Sequence, residues 1–225
     1  MKADGAEATM IFLHWGQEYQ LTENAAQQKM AQKLCDMGFD VIVGGHPHVV
    51  QPMAVLESTE DPGHKAYCIY SLGNAVSNQR NGYVSLCPGA HGEDGVLFTV
   101  TFEKYSDGKV YVAGVNALPT WVNMQSNTGV KEYNIVPLDK EAEDTWSELG
   151  MTADQVKLAG QSYERTMKII GEGLTACQDD LAQAKADREQ YYLDLPNHPE
   201  WLETESETVT ETVIETEETT TAEAA

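Results

Sequence analysis

Short apolar runs separated by polar turns organise the chain as far as residue 138, and a helical rhythm replaces them afterwards. The first run, MIFL at 10–13, ends in an HWG turn. Residues 22–37 follow another period: Ala26, Met30, Leu34 and Met37 recur three or four apart, with Thr22 placed to cap the start and Gly38 to end it. Such a helix would run about 24 Å back along a sheet at about 1.5 Å per residue. Residues 39–43 then supply the next strand. Together these elements predict a βαβ unit, with parallel strands and a right-handed crossover.

Beyond residue 48 the rhythm is that of strands, at 53–57, 66–72, 96–104, 109–118 and 133–138. The alternation of Val96, Phe98, Val100 and Phe102 suits an antiparallel strand with one buried face. Tyr105-Ser106-Asp107-Gly108 reads as the hairpin turn that follows it. After Asp139 helices are expected near 140–149, 152–171 and 174–193, closed by Pro196 and Pro199. The expected fold class is therefore α/β (α+β): a βαβ unit, then antiparallel strands, then C-terminal helices. Three segments follow from this pattern: 1–138 as the β-rich body, 139–199 as a helical extension, and 200–225 as a tail.

Charge sharpens the picture of that tail. The chain carries 14 Lys and Arg against 36 Asp and Glu, a formal net charge of −22. Residues 200–225 hold nine of the Glu and no Lys or Arg, with little apolar content beyond Val209, Val213 and Ile214. A stretch like that buries too little surface to offset its ordering entropy, so the tail is expected to be disordered. The rest is acidic too, which repels nucleic acid and anionic membranes and favours cations. No apolar run is long enough to span a bilayer, and the first ten residues lack the apolar core of a signal peptide. Cys35, Cys68, Cys87 and Cys177 are far apart with no CxxC pair, which reads as ordinary thiols.

The candidate chemistry lies at two strand ends. His14 closes the first apolar run, and His46 and His48 follow the second in GGHPHVVQP. Adjacent parallel strands lie about 4.8 Å apart, so their ends bring these imidazoles to one sheet edge, where open α/β sheets place ligands. Converging imidazoles suit zinc, iron, manganese or nickel. Pro47 pushes His46 toward extended backbone. If HPH is extended, His46 and His48 point to one side and can serve one ion or two; in a polyproline-like loop they diverge. Gly44 and Gly45 clear side-chain bulk beside the site. Trp15 and Tyr19 are candidates for pocket walls or core packing. Glu18 is either an outer partner to an imidazole or a solvated loop carboxylate. Gln51 lies in the same motif, and Asn74 closes a Ser71-Leu72-Gly73-Asn74 segment after a further strand. His64, His91 and His198 sit beside Gly or Pro and are expected to face solvent. No GxGxxG, Walker or GxSxG sequence is present.

HWGQEY, GGHPHVVQP and YSLGNAVSNQ, followed by PTWVNM at 119–124, resemble in their order the later part of the CapA family of poly-γ-glutamate capsule biosynthesis proteins. The resemblance spans about residues 5–138. It implies a calcineurin-like metallophosphoesterase sandwich, here truncated. By that resemblance His14 and His46 bind one divalent metal (Mn, Zn or Fe) and His48 a second, with two ions in the full-length protein. The chemistry implied is attack of metal-bound hydroxide on phosphorus, with a phosphoester or surface polymer as substrate and other capsule-synthesis components as partners. The superfamily's bridging Asp, Asn and catalytic His belong before HWG, where only thirteen residues precede His14. The chain is thus expected to be a C-terminal portion of a longer protein, catalytically incomplete alone, with an unpaired strand edge near 10–13 or 41–43. The resemblance also implies the outer face of the bacterial cell membrane or the cell surface as its location. Two alternatives stay open. One is an active phosphoesterase completed by an upstream half, and the other a non-catalytic surface module that binds polymer or partners.

Overall fold

A computed structural model of the chain describes residues 5–105, 108–127 and 129–198. The described residues divide into two units, one ending at Ala182 and the other beginning at Gln183. In the first, β1 (Met10–His14), α1 (Ala25–Asp36) and β2 (Val41–Gly45) form the expected βαβ unit, followed by β3 (Val50–Glu57) and β4 (Lys65–Leu72). These strands make a four-stranded sheet in the order β1-β2-β4-β3, with β1, β2 and β4 mutually parallel and β3 antiparallel to β4. A second, antiparallel sheet joins β5 (Asp94–Lys104), β6 (Val110–Asn127) and β7 (Val130–Pro137). The mixed α/β class is therefore the one the periodicities predict, and the two sheets are consistent with the metallophosphoesterase-like sandwich that the resemblance implies.

Residue alternation sorts the first sheet's two faces. Ile42, Ala66, Cys68 and Tyr70 pack with Ala31, Leu34 and Cys35 of α1. Val41, Val43, Tyr67 and Ile69 point the other way, into a core shared with Val96, Val115 and Ala117 of the second sheet. Leucine-sized residues buried in that core each contribute about 1.5–3 kcal/mol. Helix α1 begins later than its apolar period suggested. Asn24, not Thr22, is the cap, and it forms a capping box with Gln27. The Thr22 carbonyl is engaged instead by the Gln51 amide at 3.0 Å. Gly38 ends the helix as expected, at φ +83°.

The helices expected after Asp139 resolve differently. Lys140–Leu149 is a 3-10 helix, and Ala153–Asp194 is one continuous 42-residue helix, α2. Gly171 and Gly173, which looked like a break, lie inside it. A Cβ at Gly173 would stand 2.1 Å from the Met53 carbonyl oxygen, so this glycine lets α2 approach the backbone of β3. Ile170, Leu174, Cys177 and Leu181 recur at helical spacing and enter the strand core. The predicted alternation in β5 holds for Val96, Phe98 and Val100. A register shift between Thr101 and Phe102 then leaves Phe102 on the exposed side. In the second unit, the last turns of α2 carry Gln183–Asp187 and Gln190–Asp194 hydrogen bonds of 2.7 and 2.8 Å, and a 3-10 turn, Leu195–Asn197, follows. Ser106 and Asp107 of the predicted hairpin turn, and the acidic tail, lie outside the described residues. Within them, no helix is long and apolar enough to cross a membrane.

Candidate metal edge

His14 is the last residue of β1 and pairs in register with Gly45, the last of β2. The parallel ladder thus delivers His14 and the HPH segment to the same carboxyl edge. The His14 and His46 ring centroids are 4.3 Å apart, and those of His46 and His48 are 6.2 Å apart. His14 is exposed, while His46 and His48 are half-buried. Neither the extended nor the polyproline-like backbone considered for HPH is what forms. His46 has φ +101° and His48 φ +60°, both in the region that L residues avoid. The local preference imposed by Pro47 is overridden by tertiary bonding: the Tyr19 N–H donates to the Pro47 carbonyl at 2.8 Å and the Trp15 N–H to Gly45 at 3.1 Å.

The loop between β1 and α1 folds over this turn and is tied there by β3. Gln51 is fully buried; it donates to the Gln20 and Thr22 carbonyls at 2.9 and 3.0 Å and accepts from Gln27 at 2.8 Å. It therefore shapes the edge without lining it. Trp15 packs inward. Its indole N–H donates to the Tyr70 carbonyl at 2.8 Å and its ring stacks on Tyr70. That contact occupies the space a side chain at Gly44 would need, since a Cβ there would lie 2.0 Å from the Tyr70 oxygen. Glu18 stands on the exposed side, its carboxylate 3.9 Å from His48 Nε2. Tyr19 is buried, its ring stacked on His48 at 6.0 Å, and burial raises its phenol above the ordinary range.

Asn74 reaches the same edge. Gly73, at φ +72°, turns the chain so that Gly73 bridges Gly95 of β5 and the Asn74 side chain comes back to His48, 3.0 Å from Nδ1. Sequence reasoning missed Gln79, which links Asn74 to Tyr19 through bonds of 3.0 and 3.2 Å. Five residues separate it from Asn74, and no periodicity marks it. His64 and His91 are less open than expected, because the His64 ring bonds the Phe39 carbonyl at 3.1 Å and His91 lies 3.8 Å from buried Asp94. His198 is exposed.

A cavity of 310 Å³ opens at the edge, walled by Phe12, Leu13, Val43 and Leu72 with His14 and the two glycines. The larger cavity of 990 Å³ runs along α2 and shares no residue with it. The donor set of three imidazoles suits a divalent ion of borderline softness. Among the described residues, however, no group of three or more His, Cys, Asp or Glu side chains is arranged to hold one.

Away from it, Asp94 is buried against Arg165, which bonds both its oxygens at 2.5 and 2.6 Å, and against Ser162 at 2.5 Å. Burial outweighs the guanidinium and pushes the carboxyl up to about 6. This cluster ties β5 to α2.

The first third of the chain is similar to known proteins. Residues 1–79 match the profile described as Bacterial capsule synthesis protein PGA_cap, a shorter stretch than the 5–138 expected. The PGA biosynthesis protein CapA of Bacillus subtilis (strain 168) is 40% identical over 74 residues, 33% of this chain and 18% of the relative. The capsule biosynthesis protein CapA of Bacillus anthracis is 36% identical over 78 residues, 35% of this chain and 17% of the relative. The chain thus spans less than a fifth of the length of the curated relatives it matches. Residues 1–79, which hold the whole four-stranded sheet and all three candidate histidines, are the part of the chain that is similar to the bacterial capsule synthesis family and to the two CapA proteins.

Proposed function

We propose that this chain serves the production of a poly-γ-glutamate-type capsule polymer, and that His14, His46 and His48 furnish the imidazole part of a divalent-metal site of the metallophosphoesterase type. The observation that carries this reading is the gathering of three imidazoles at the carboxyl edge of two adjacent parallel strands, with ring centroids 4.3 and 6.2 Å apart. An ion bound there (Mn, Zn or Fe) would supply Lewis-acid chemistry at a phosphoester oxygen. The chain's own residues hold the imidazoles in place: Gln51 and Tyr19 clamp the covering loop, and Asn74 grips His48. Because the imidazoles alone do not complete a shell, the reading assigns this chain a partial site and little turnover by itself. Action at the outer face of the bacterial cell, beside other capsule-synthesis components, belongs to the same proposal and rests on the resemblance to CapA.

Calorimetric titration of the metal-stripped protein with manganese or zinc tests it. Weak binding that disappears in a His46→Ala, His48→Ala double variant is expected. Unchanged binding in that variant would remove the site. Turnover of a generic phosphodiester with added manganese is expected to stay near background.

A further inference from the structure

Asn74 holds His48 from two directions. Its amide nitrogen donates to the His48 carbonyl at 2.9 Å and to the Gly92 carbonyl at 3.0 Å, while its amide oxygen faces His48 Nδ1 at 3.0 Å. The orientation of an Asn amide is settled by its partners. Here two of them are backbone carbonyls, which can only accept, so they fix the side on which the nitrogen lies. The oxygen on the other side can only accept as well. The Nδ1 facing it must therefore carry the proton, and in a neutral imidazole the lone pair is then on Nε2. The Gln79 amide oxygen lies 3.0 Å from the same nitrogen, whose two hydrogens are shared among the three acceptors, while the Gln79 amide nitrogen donates to the Tyr19 hydroxyl at 3.2 Å, and the Tyr19 ring stacks on His48. The network closes on the imidazole. Nε2 faces the exposed side, with the Glu18 carboxylate at 3.9 Å, beyond hydrogen-bond reach.

We propose that Asn74 is a positioning residue that locks His48 in the Nδ1–H tautomer and leaves Nε2 as the nitrogen offered to a ligand. An unconstrained imidazole favours the opposite tautomer, so a ligand arriving at Nε2 would first have to displace a proton. Asn74 removes that step in advance, and its grip on the His48 carbonyl also holds the unusual backbone at φ +60°. The ligand role of Nε2 rests on the function proposed above, whereas the tautomer rests on the Asn74 geometry alone.

Nitrogen-15 histidine labelling with long-range proton–nitrogen correlation tests it on the metal-free chain near pH 9, above the ordinary imidazole range of about 6.5. His48 resonances are assigned by their loss in His48→Gln. Wild type is expected to show a protonated Nδ1 and a bare Nε2. Asn74→Ala should return His48 to Nε2–H. Asn74→Asp, which keeps an acceptor, and Gln79→Ala, which keeps both carbonyl anchors, should retain Nδ1–H. An Nε2–H imidazole in wild type overturns the proposal, as does Nδ1–H persisting in folded Asn74→Ala. Should Asn74→Ala fail to fold, wild type and Asn74→Asp decide, and Nε2–H in either refutes it. Zinc added afterwards separates the two readings. If the tautomer is found but zinc moves no His48 nitrogen, the metal site falls and the positioning role stands.

Discussion

Replacing Gly44 by alanine tests the packing that builds the histidine edge. The added Cβ would lie 2.0 Å from the Tyr70 carbonyl oxygen and 2.3 Å from Trp15 Nε1, where ordinary contact begins near 3.4 Å. Neither neighbour yields cheaply. Tyr70 is backbone of β4, next to residues paired with β2, and the Trp15 indole is held by stacking and by its 2.8 Å bond to that same carbonyl. Forcing strand and indole apart costs about 1–3 kcal/mol as overpacking. Losing the indole bond with a buried carbonyl left behind adds about 1–3 kcal/mol. The sum, about 2–6 kcal/mol, lowers a urea midpoint followed by circular dichroism by about 1–3 M at an m-value of about 2 kcal/mol/M. Gly45→Ala is the control, because its Cβ meets only the Leu13 carbonyl at 4.0 Å. It should stay within about 0.5 kcal/mol of wild type. Equal midpoints for the two variants, or a Gly44→Ala midpoint matching wild type, would refute the reasoning.

Two further substitutions on α2 should diverge in the same assay. Gly173→Ala meets the Met53 carbonyl at 2.1 Å and should destabilise by about 1–3 kcal/mol. Gly171→Ala, with only the Met167 methyl at 3.6 Å, should gain up to about 1 kcal/mol of helix propensity. Asp94→Ala leaves the half-buried Arg165 guanidinium without its carboxylate and should cost about 1–3 kcal/mol, read as a fall in midpoint. The Asp94 carboxyl, raised to about 6, binds a proton in the folded chain that an unfolded one releases near 4. Its contribution is full below about pH 4 and lost as pH rises through about 6, so the wild-type advantage over Asp94→Asn should shrink across that window. An advantage that grows with pH would show the carboxylate held ionised by Arg165.

The βαβ unit was legible because its signals are local. An apolar run, a helical period ended by a glycine, and a second β-branched run force a parallel pair, and parallel strands put His14 and the HPH segment at one edge. The details of that edge were not legible, because partners distant in sequence decide them. Pro47 argues for extended backbone at His46, yet the Tyr19 N–H bonded to its carbonyl wins and leaves φ at +101°. Gly171 and Gly173 in α2 look like a helix break on propensity, which charges about 1 kcal/mol for each. Propensity is blind to the strand on the other side. At Gly173 the cost is offset because any larger residue would hold α2 away from Met53, and with it the buried stripe of Ile170, Leu174 and Cys177. The same blindness hid the Asp94–Arg165 pair, whose members lie 71 residues apart. It also hid the tautomer of His48, which depends on a carbonyl at Gly92 that no motif around Asn74 mentions. Local patterns therefore locate the histidines, and contacts between distant segments decide which nitrogen His48 presents.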